Sequence, residues 1–144
     1  MILEKNVHYI HINDPVYKYM LIKDVEGWVD FQDKKLKKSI HTQYCSLYTS
    51  GRLIGLAWYA WDGASGPTID TKSSMHCSLD HDILTQLIEE GYLDPSWTPI
   101  SNDHLETEGI ADGMLPMRAK IWNISVSYVG RPYMTFKKWI FGRR

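Results

Sequence analysis

The chain changes its hydrophobic period between Trp61 and Met75, and that change rules out both an all-α and an all-β fold. Up to Trp61 the run Leu53-Ile54-Gly55-Leu56-Ala57-Trp58-Tyr59-Ala60-Trp61 is apolar at successive positions, the pattern of a central strand buried on both faces. From Met75 onward, Met75, Leu79, Ile83, Leu87 and Ile88 recur at three- and four-residue intervals, the core-facing stripe of a helix. The segment between them, Asp62-Gly63-Ala64-Ser65-Gly66-Pro67-Thr68-Ile69-Asp70, has turn chemistry and carries two acids. Polar groups at the exit of a buried strand mark a place where function is commonly sited.

The flanking segments extend this pattern. Val7–Ile12 and Tyr17–Lys23 read as strands separated by the break at Asp14-Pro15, and Glu26-Gly27 reads as a turn into Trp28–Phe31. Lys34, Lys35, Lys37 and Lys38 form a basic run between strands, better explained as a solvated loop than as a phosphate patch. Ser50-Gly51 is a hairpin signal joining Ser39–Thr49 to Arg52–Trp61. Ser73 or Ser74 is placed to cap the first helix, and Gly91 to end it. Pro95 and Pro99 interrupt the next loop, a second helix spans Ile100–Ala111 and closes at Gly113, and Pro116 opens a third that runs through Val129 to the stop at Gly130-Arg131-Pro132. The expected fold is α+β: an N-terminal antiparallel sheet with about three C-terminal helices packed on one face or end. A single domain covers residues 1–144, with 1–61 mostly β, 72–130 mostly α, and 131–144 a basic aromatic tail.

At 144 residues, 44% hydrophobic and 23% charged, the chain can bury a substantial core. A net charge of −1 lacks the basic footprint of a nucleic-acid binder. No apolar run reaches the roughly 18 residues of a transmembrane helix. The N-terminus lacks the pattern of a signal peptide, and Cys45 and Cys77 are too few for a disulfide framework, so a soluble cytosolic protein is expected. With six Trp and nine Tyr, aromatic residues should supply much of the core. Leu56, Trp58, Leu79, Ile83, Leu87 and Trp122 are the expected interior positions.

Asp62, Asp70, His81, Asp82 and Asp103 form the candidate constellation. An imidazole with paired carboxylates can bind a divalent cation, activate water, or do both. The catalytic candidates are His81, Asp82, Asp62 and Asp103, and the metal candidates are Asp62, Asp82 and Asp70. Each has a plainer explanation. Asp62 can cap a turn, Asp103 can be a helix-start acid, and His81 and Asp82 lie off the apolar stripe, where solvent can reach them. His76 and Asp80, four apart on the apolar side, read as a buried hydrogen-bonded pair of structural type. Cys77 and His81 are also four apart, but no third residue orients them as a nucleophile and base.

The order Asp62-Gly-Ala-Ser-Gly-Pro-Thr-Ile-Asp-Thr71, His81-Asp82, Asn102-Asp103, Asp112-Gly113-Met114, Arg118-Ala119 and Val126–Gly130 resembles small proteins of tailed bacteriophages catalogued as domain of unknown function 1353. The resemblance covers about Cys45 to Met134, and it departs at Thr85, where the family has Tyr, and at Ser127, where it has Arg. It implies a phage origin, residence in the host cytoplasm where the protein is made or in the virion, and partners among other phage proteins or host proteins. Homo-oligomerisation stays open, and the family implies no reaction. A looser similarity is to secreted phospholipases A2, in which a helix also carries His beside Asp; their disulfides and glycine-rich calcium loop are missing here. Two functional classes follow. One is a small hydrolase, with a divalent metal ion as its candidate cofactor. The other is a non-enzymatic phage protein, a virion component or a host-factor binder, in which the His/Asp cluster is vestigial or structural. The tail, Phe136–Arg144, interleaves aromatic and basic residues; it reads first as aromatics docked on the domain's own sheet with their charges solvated, and second as an anchor for another subunit or an anionic surface.

Overall fold

Short antiparallel strands fill the N-terminal part of the chain and helices the C-terminal part, an α+β arrangement. The computed structural model describes residues 6–63 and 72–127. Contacts divide the chain into two compact units, one ending at Asp62 and the other beginning at Gly63.

Among the described residues the first unit contains two sheets rather than one. β1 (Tyr9–His11), β2 (Tyr19–Leu21) and β7 (Ala60–Trp61) form a three-stranded sheet in the order β1-β2-β7. β3 (Val25–Trp28), β4 (Ile40–His41), β5 (Cys45–Leu47) and β6 (Arg52–Gly55) form a four-stranded sheet in the order β3-β6-β5-β4. Every pairing is antiparallel. The hairpin expected at Ser50-Gly51 joins β5 to β6, with Leu47 opposite Leu53. The Gly51 N–H closes the turn on the Tyr48 carbonyl at 2.9 Å. Gly51 has φ +97°, and a Cβ there would collide with the Val29 carbonyl oxygen, so only glycine fits.

Three strand expectations are corrected. Ser39–Thr49 is two strands, because Thr42 Oγ1 accepts the Tyr44 and Cys45 N–H groups and turns the chain between β4 and β5. Arg52–Trp61 is also two, because it leaves one sheet after Gly55 and enters the other at Ala60. The changeover places Trp58 at φ +79° with its N–H bound to the Leu21 carbonyl at 2.6 Å. Its side chain is 64% exposed and Leu56 is half-buried, so neither is core. Finally, Glu26-Gly27 is not a turn. Both lie in β3 opposite Ile54 and Leu53, and the Glu26 carboxylate accepts from Arg52. The four-lysine segment is a loop, with Lys35, Lys37 and Lys38 exposed. Aromatic rings cross the smaller sheet: Tyr19 stacks edge-on to Tyr9 at 5.2 Å and tilts against Trp61 at 5.6 Å.

In the second unit α1 spans Lys72–Glu89, so Ser73 and Ser74 fall inside the helix rather than ahead of it. Gly91, at φ +85°, ends it as expected: the Tyr92 N–H returns to the Leu87 carbonyl and the Gly91 N–H to the Ile88 carbonyl. Pro95 and Pro99 start helical turns instead of breaking a loop. Pro95 opens the 3₁₀ turn Pro95–Trp97, with Asp94 accepting the Ser96 N–H, and Pro99 lies in the first turn of α2 (Thr98–Ala111). Gly113 closes α2 with the same pair of bonds, Met114 N–H to the Gly109 carbonyl and Gly113 N–H to the Ile110 carbonyl. A third helix, α3, occupies residues 116–127. Cys77, Leu105, Met114, Ala119, Trp122 and Val126 pack α1, α2 and α3 together. Leu79, Ile83, Leu87 and Trp122 are fully buried, as their periodicity requires. Among the described residues no helix is long and apolar enough to cross a membrane. The expected extension of the third helix to Val129, the stop at Gly130-Arg131-Pro132 and the tail Phe136–Arg144 fall on residues outside the described ones.

Candidate metal centre

α1 and α2 run antiparallel, because His76 meets Glu108, Asp80 meets His104 and His81 meets Asn102. Helical side chains four apart share a face, so His76 and Asp80 on α1 lie over His104 and Glu108 on α2. Asp112, one turn further along, is the C-cap residue of α2. The five groups form one cluster. His104 Nε2 is 2.9 Å from Asp80 Oδ2, His76 Nδ1 is 3.1 Å from Glu108 Oε1, and His76 Nε2 is 3.5 Å from Asp80 Oδ2.

The cluster is short of positive charge. Asp80 is fully buried, His76 and His104 are buried, Glu108 is partly exposed and Asp112 is exposed. A carboxylate only accepts, and a neutral imidazole carries a single N–H. His76 nevertheless turns both ring nitrogens toward carboxylates, and its Nε2 is sealed from solvent with no hydrogen bond. Burial pushes the Glu108 carboxyl up and neighbouring Asp80 pushes it further, while His76 and His104 offset only part of this. Asp112 is raised by burial and by Asp80 against the same two imidazoles. Burial opposes charge on His104, but its Asp80 hydrogen bond and the charges of Asp80, Glu108 and Asp112 outweigh burial and raise its pKa. A carboxylate at a helix C-terminus also faces the negative end of the helix dipole, where a cation is favoured. Two triads bring donor atoms within 4.8 Å of one another: His76, Glu108 and Asp112, and Asp80, His104 and Glu108.

His81, Asp82 and Asp103, singled out by sequence, belong to neither triad. His81 is buried rather than solvated, and its Nε2 bonds Asn102 Oδ1 at 2.8 Å. Ser127 Oγ gives its one proton to the Asn123 carbonyl, so it accepts from Asn102 Nδ2 at 3.1 Å. That direction turns Asn102 Oδ1 toward His81 and makes Nε2 the protonated nitrogen. A cavity of about 270 Å³ adjoins this relay, lined in part by His81, Thr85, Asn102 and Ser127. Asp82 is buried, with Oδ1 4.0 Å from His81 Nδ1. Asp103 sits in the second turn of α2 rather than the first and accepts from Asn123 Nδ2 at 3.2 Å. Asp62 is buried at the end of the first unit, and Asp70 lies outside the described residues. His81 and Asp82 are therefore neighbours, while Asp103 is engaged with α3. Cys77 is buried with its thiol pKa raised, first by burial and then by Asp112, Asp80 and Glu108, so it stays protonated and is no nucleophile.

His104 and Glu108 escaped the sequence reading, although a signal was present. His76-x-x-x-Asp80 is echoed by His104-x-x-x-Glu108-x-x-x-Asp112, two His/acid ladders at helical spacing. No protein-family model, curated protein or solved structure matches the chain.

Proposed function

We propose that this protein is a metal-dependent hydrolase whose divalent metal centre lies between α1 and α2, with its ligands drawn from His76, Asp80, His104, Glu108 and Asp112. The observation that carries this is His76 Nε2, buried without a hydrogen bond among carboxylates that cannot donate one. The metal ligands thereby move from Asp62, Asp70 and Asp82 to the facing ladders. Imidazole and carboxylate together suit zinc, manganese, iron or cobalt better than calcium. A structural zinc site is closed, whereas a catalytic one keeps a position open. The partial exposure of Glu108 and the exposure of Asp112 support the open kind. The ion would polarise a carbonyl or phosphoryl oxygen and make its bound water acidic enough to act as nucleophile near neutral pH. The test is dialysis against EDTA, reloading with Zn²⁺, Mn²⁺ or Co²⁺, and a panel of nitrophenyl esters and phosphates. Metal retention and metal-restored hydrolysis are expected, both lost in His76→Gln and His104→Gln while the circular dichroism spectrum holds. Wild-type protein that keeps no ion after reloading contradicts the proposal.

A second reading is a non-enzymatic phage protein, either a virion component or a binder of a host factor. It is favoured by the exposed apolar residues of α3, Met117 at 77%, Ile121 at 51% and Ile124 at 51%, with Leu115 just ahead at 73%. These stand at helical spacing, as a docking stripe would. Met117→Lys with Ile121→Lys should then abolish self-association or partner capture and leave metal binding intact. A monomer whose behaviour the double variant does not change removes the support for this reading.

A further inference from the structure

We infer that the centre between α1 and α2 is dinuclear, with Glu108 bridging two divalent cations, one completed by His76 and Asp112 and the other by Asp80 and His104. This rests on the metal-binding reading above. The five donors do not gather around one point. They form two overlapping triads, each with its donor atoms within 4.8 Å of one another, and Glu108 alone belongs to both. Each triad has the same make-up: one imidazole, one terminal carboxylate and the shared Glu108. Donors around a single ion with bonds of about 2.0–2.2 Å lie roughly 3–4 Å apart. One separation within each triad, 2.9 Å between His104 and Asp80 and 3.1 Å between His76 and Glu108, is already close to that spacing. His76 links the two halves, with one ring nitrogen toward Glu108 and the other, sealed and without a hydrogen bond, toward Asp80.

Charge separates one ion from two. Asp80, Glu108 and Asp112 supply three negative charges when ionised, and the neutral imidazoles supply none. One divalent cation would leave the largely buried cluster negative, whereas two would leave it with one positive charge. A positive centre attracts hydroxide or an anionic oxygen ligand, and pairs of ions about 3.5–4 Å apart clamp the oxygens of phosphoryl groups. The ligand class that fits is therefore a phosphate or phosphate ester, entering beside exposed Asp112 and half-exposed Glu108.

The experiment is a Mn²⁺ titration of the intact, EDTA-treated chain, read by metal content and by electron paramagnetic resonance, with inorganic phosphate as the anion probe. Wild type should bind two ions and show an exchange-coupled manganese pair. Asp112→Asn, an exposed and structurally mild change, should bind one ion, lose the coupled signal and bind phosphate at least about tenfold more weakly. Glu108→Gln should lose the coupled signal as well. One uncoupled ion in wild type overturns the dinuclear assignment and leaves the metal reading standing; no ion at all overturns both. Two coupled ions surviving in Glu108→Gln overturn the bridge, and phosphate affinity unchanged in Asp112→Asn overturns the oxyanion assignment.

Discussion

His76 concentrates the difficulty that the cluster has to resolve: two ring nitrogens face acceptors, and a neutral ring has only one proton to give. Protons or metal ions can relieve it, and the two remedies respond oppositely to pH. His104, Glu108 and Asp112 all have raised pKa values in the fold. A raised folded-state value means that the fold holds its proton more tightly than the unfolded chain does. The resulting stabilisation is present at low pH and is lost as pH climbs above the ordinary values of 3.8, 4.5 and 6.5 for the Asp, Glu and His concerned. Asp112, being exposed, contributes least. Metal-free protein should therefore melt at a higher temperature near about pH 6 than near about pH 8, and saturating Zn²⁺ should reverse that order, because ions and protons compete for the same atoms. An order unchanged by metal would count against the centre. Only part of the cluster is marked by local sequence. His76 and Asp80 stand out as an i, i+4 pair, but such pairs abound in helix cores. What distinguishes this one is the facing ladder, and that depends on the register of α2 against α1, which local periodicity does not encode.

Elements that end on local chemistry were readable, and those that end on long-range pairing were not. Gly91 and Gly113 stop α1 and α2 through the left-handed backbone they adopt, and Gly51 sets the β5–β6 turn, all from residues adjacent in sequence. The apolar run from Leu53 to Trp61 misled because two different sheets bury its two ends, and continuous hydrophobicity looks the same whether a strand continues or changes sheets. Trp58, at the crossing, consequently points to solvent. Two substitutions check these assignments. Leu87→Ala empties a fully buried site on α1 and should cost roughly 2–5 kcal/mol in chemical denaturation; a loss below about half a kcal/mol would show that the buried face has been misassigned. Gly51→Ala forces a side chain into positive φ against the Val29 carbonyl and should cost more than about 1 kcal/mol, whereas a neutral result would contradict the turn geometry.

For the whole molecule, the α+β class follows from the switch in hydrophobic period near Trp61, and the boundary between the two units falls at that switch, between Asp62 and Gly63. The cluster belongs entirely to the second unit, so ligand binding should stabilise that unit first. An ion at a hundred times its dissociation constant adds about 2.7 kcal/mol to the state that binds it. Amide exchange should accordingly slow along α1 and α2 when metal is added, and uniform slowing along both units would argue against a centre confined to the second. The most direct measurement is an anomalous-scattering map from crystals grown with Zn²⁺ or Mn²⁺, collected at the metal edge. The proposed centre requires density between α1 and α2, about 2.0–2.2 Å from a ring nitrogen of His76 or His104 and from a Glu108 oxygen. A peak at Asp62 or Asp82 instead, or no peak between the helices at millimolar metal, would contradict it.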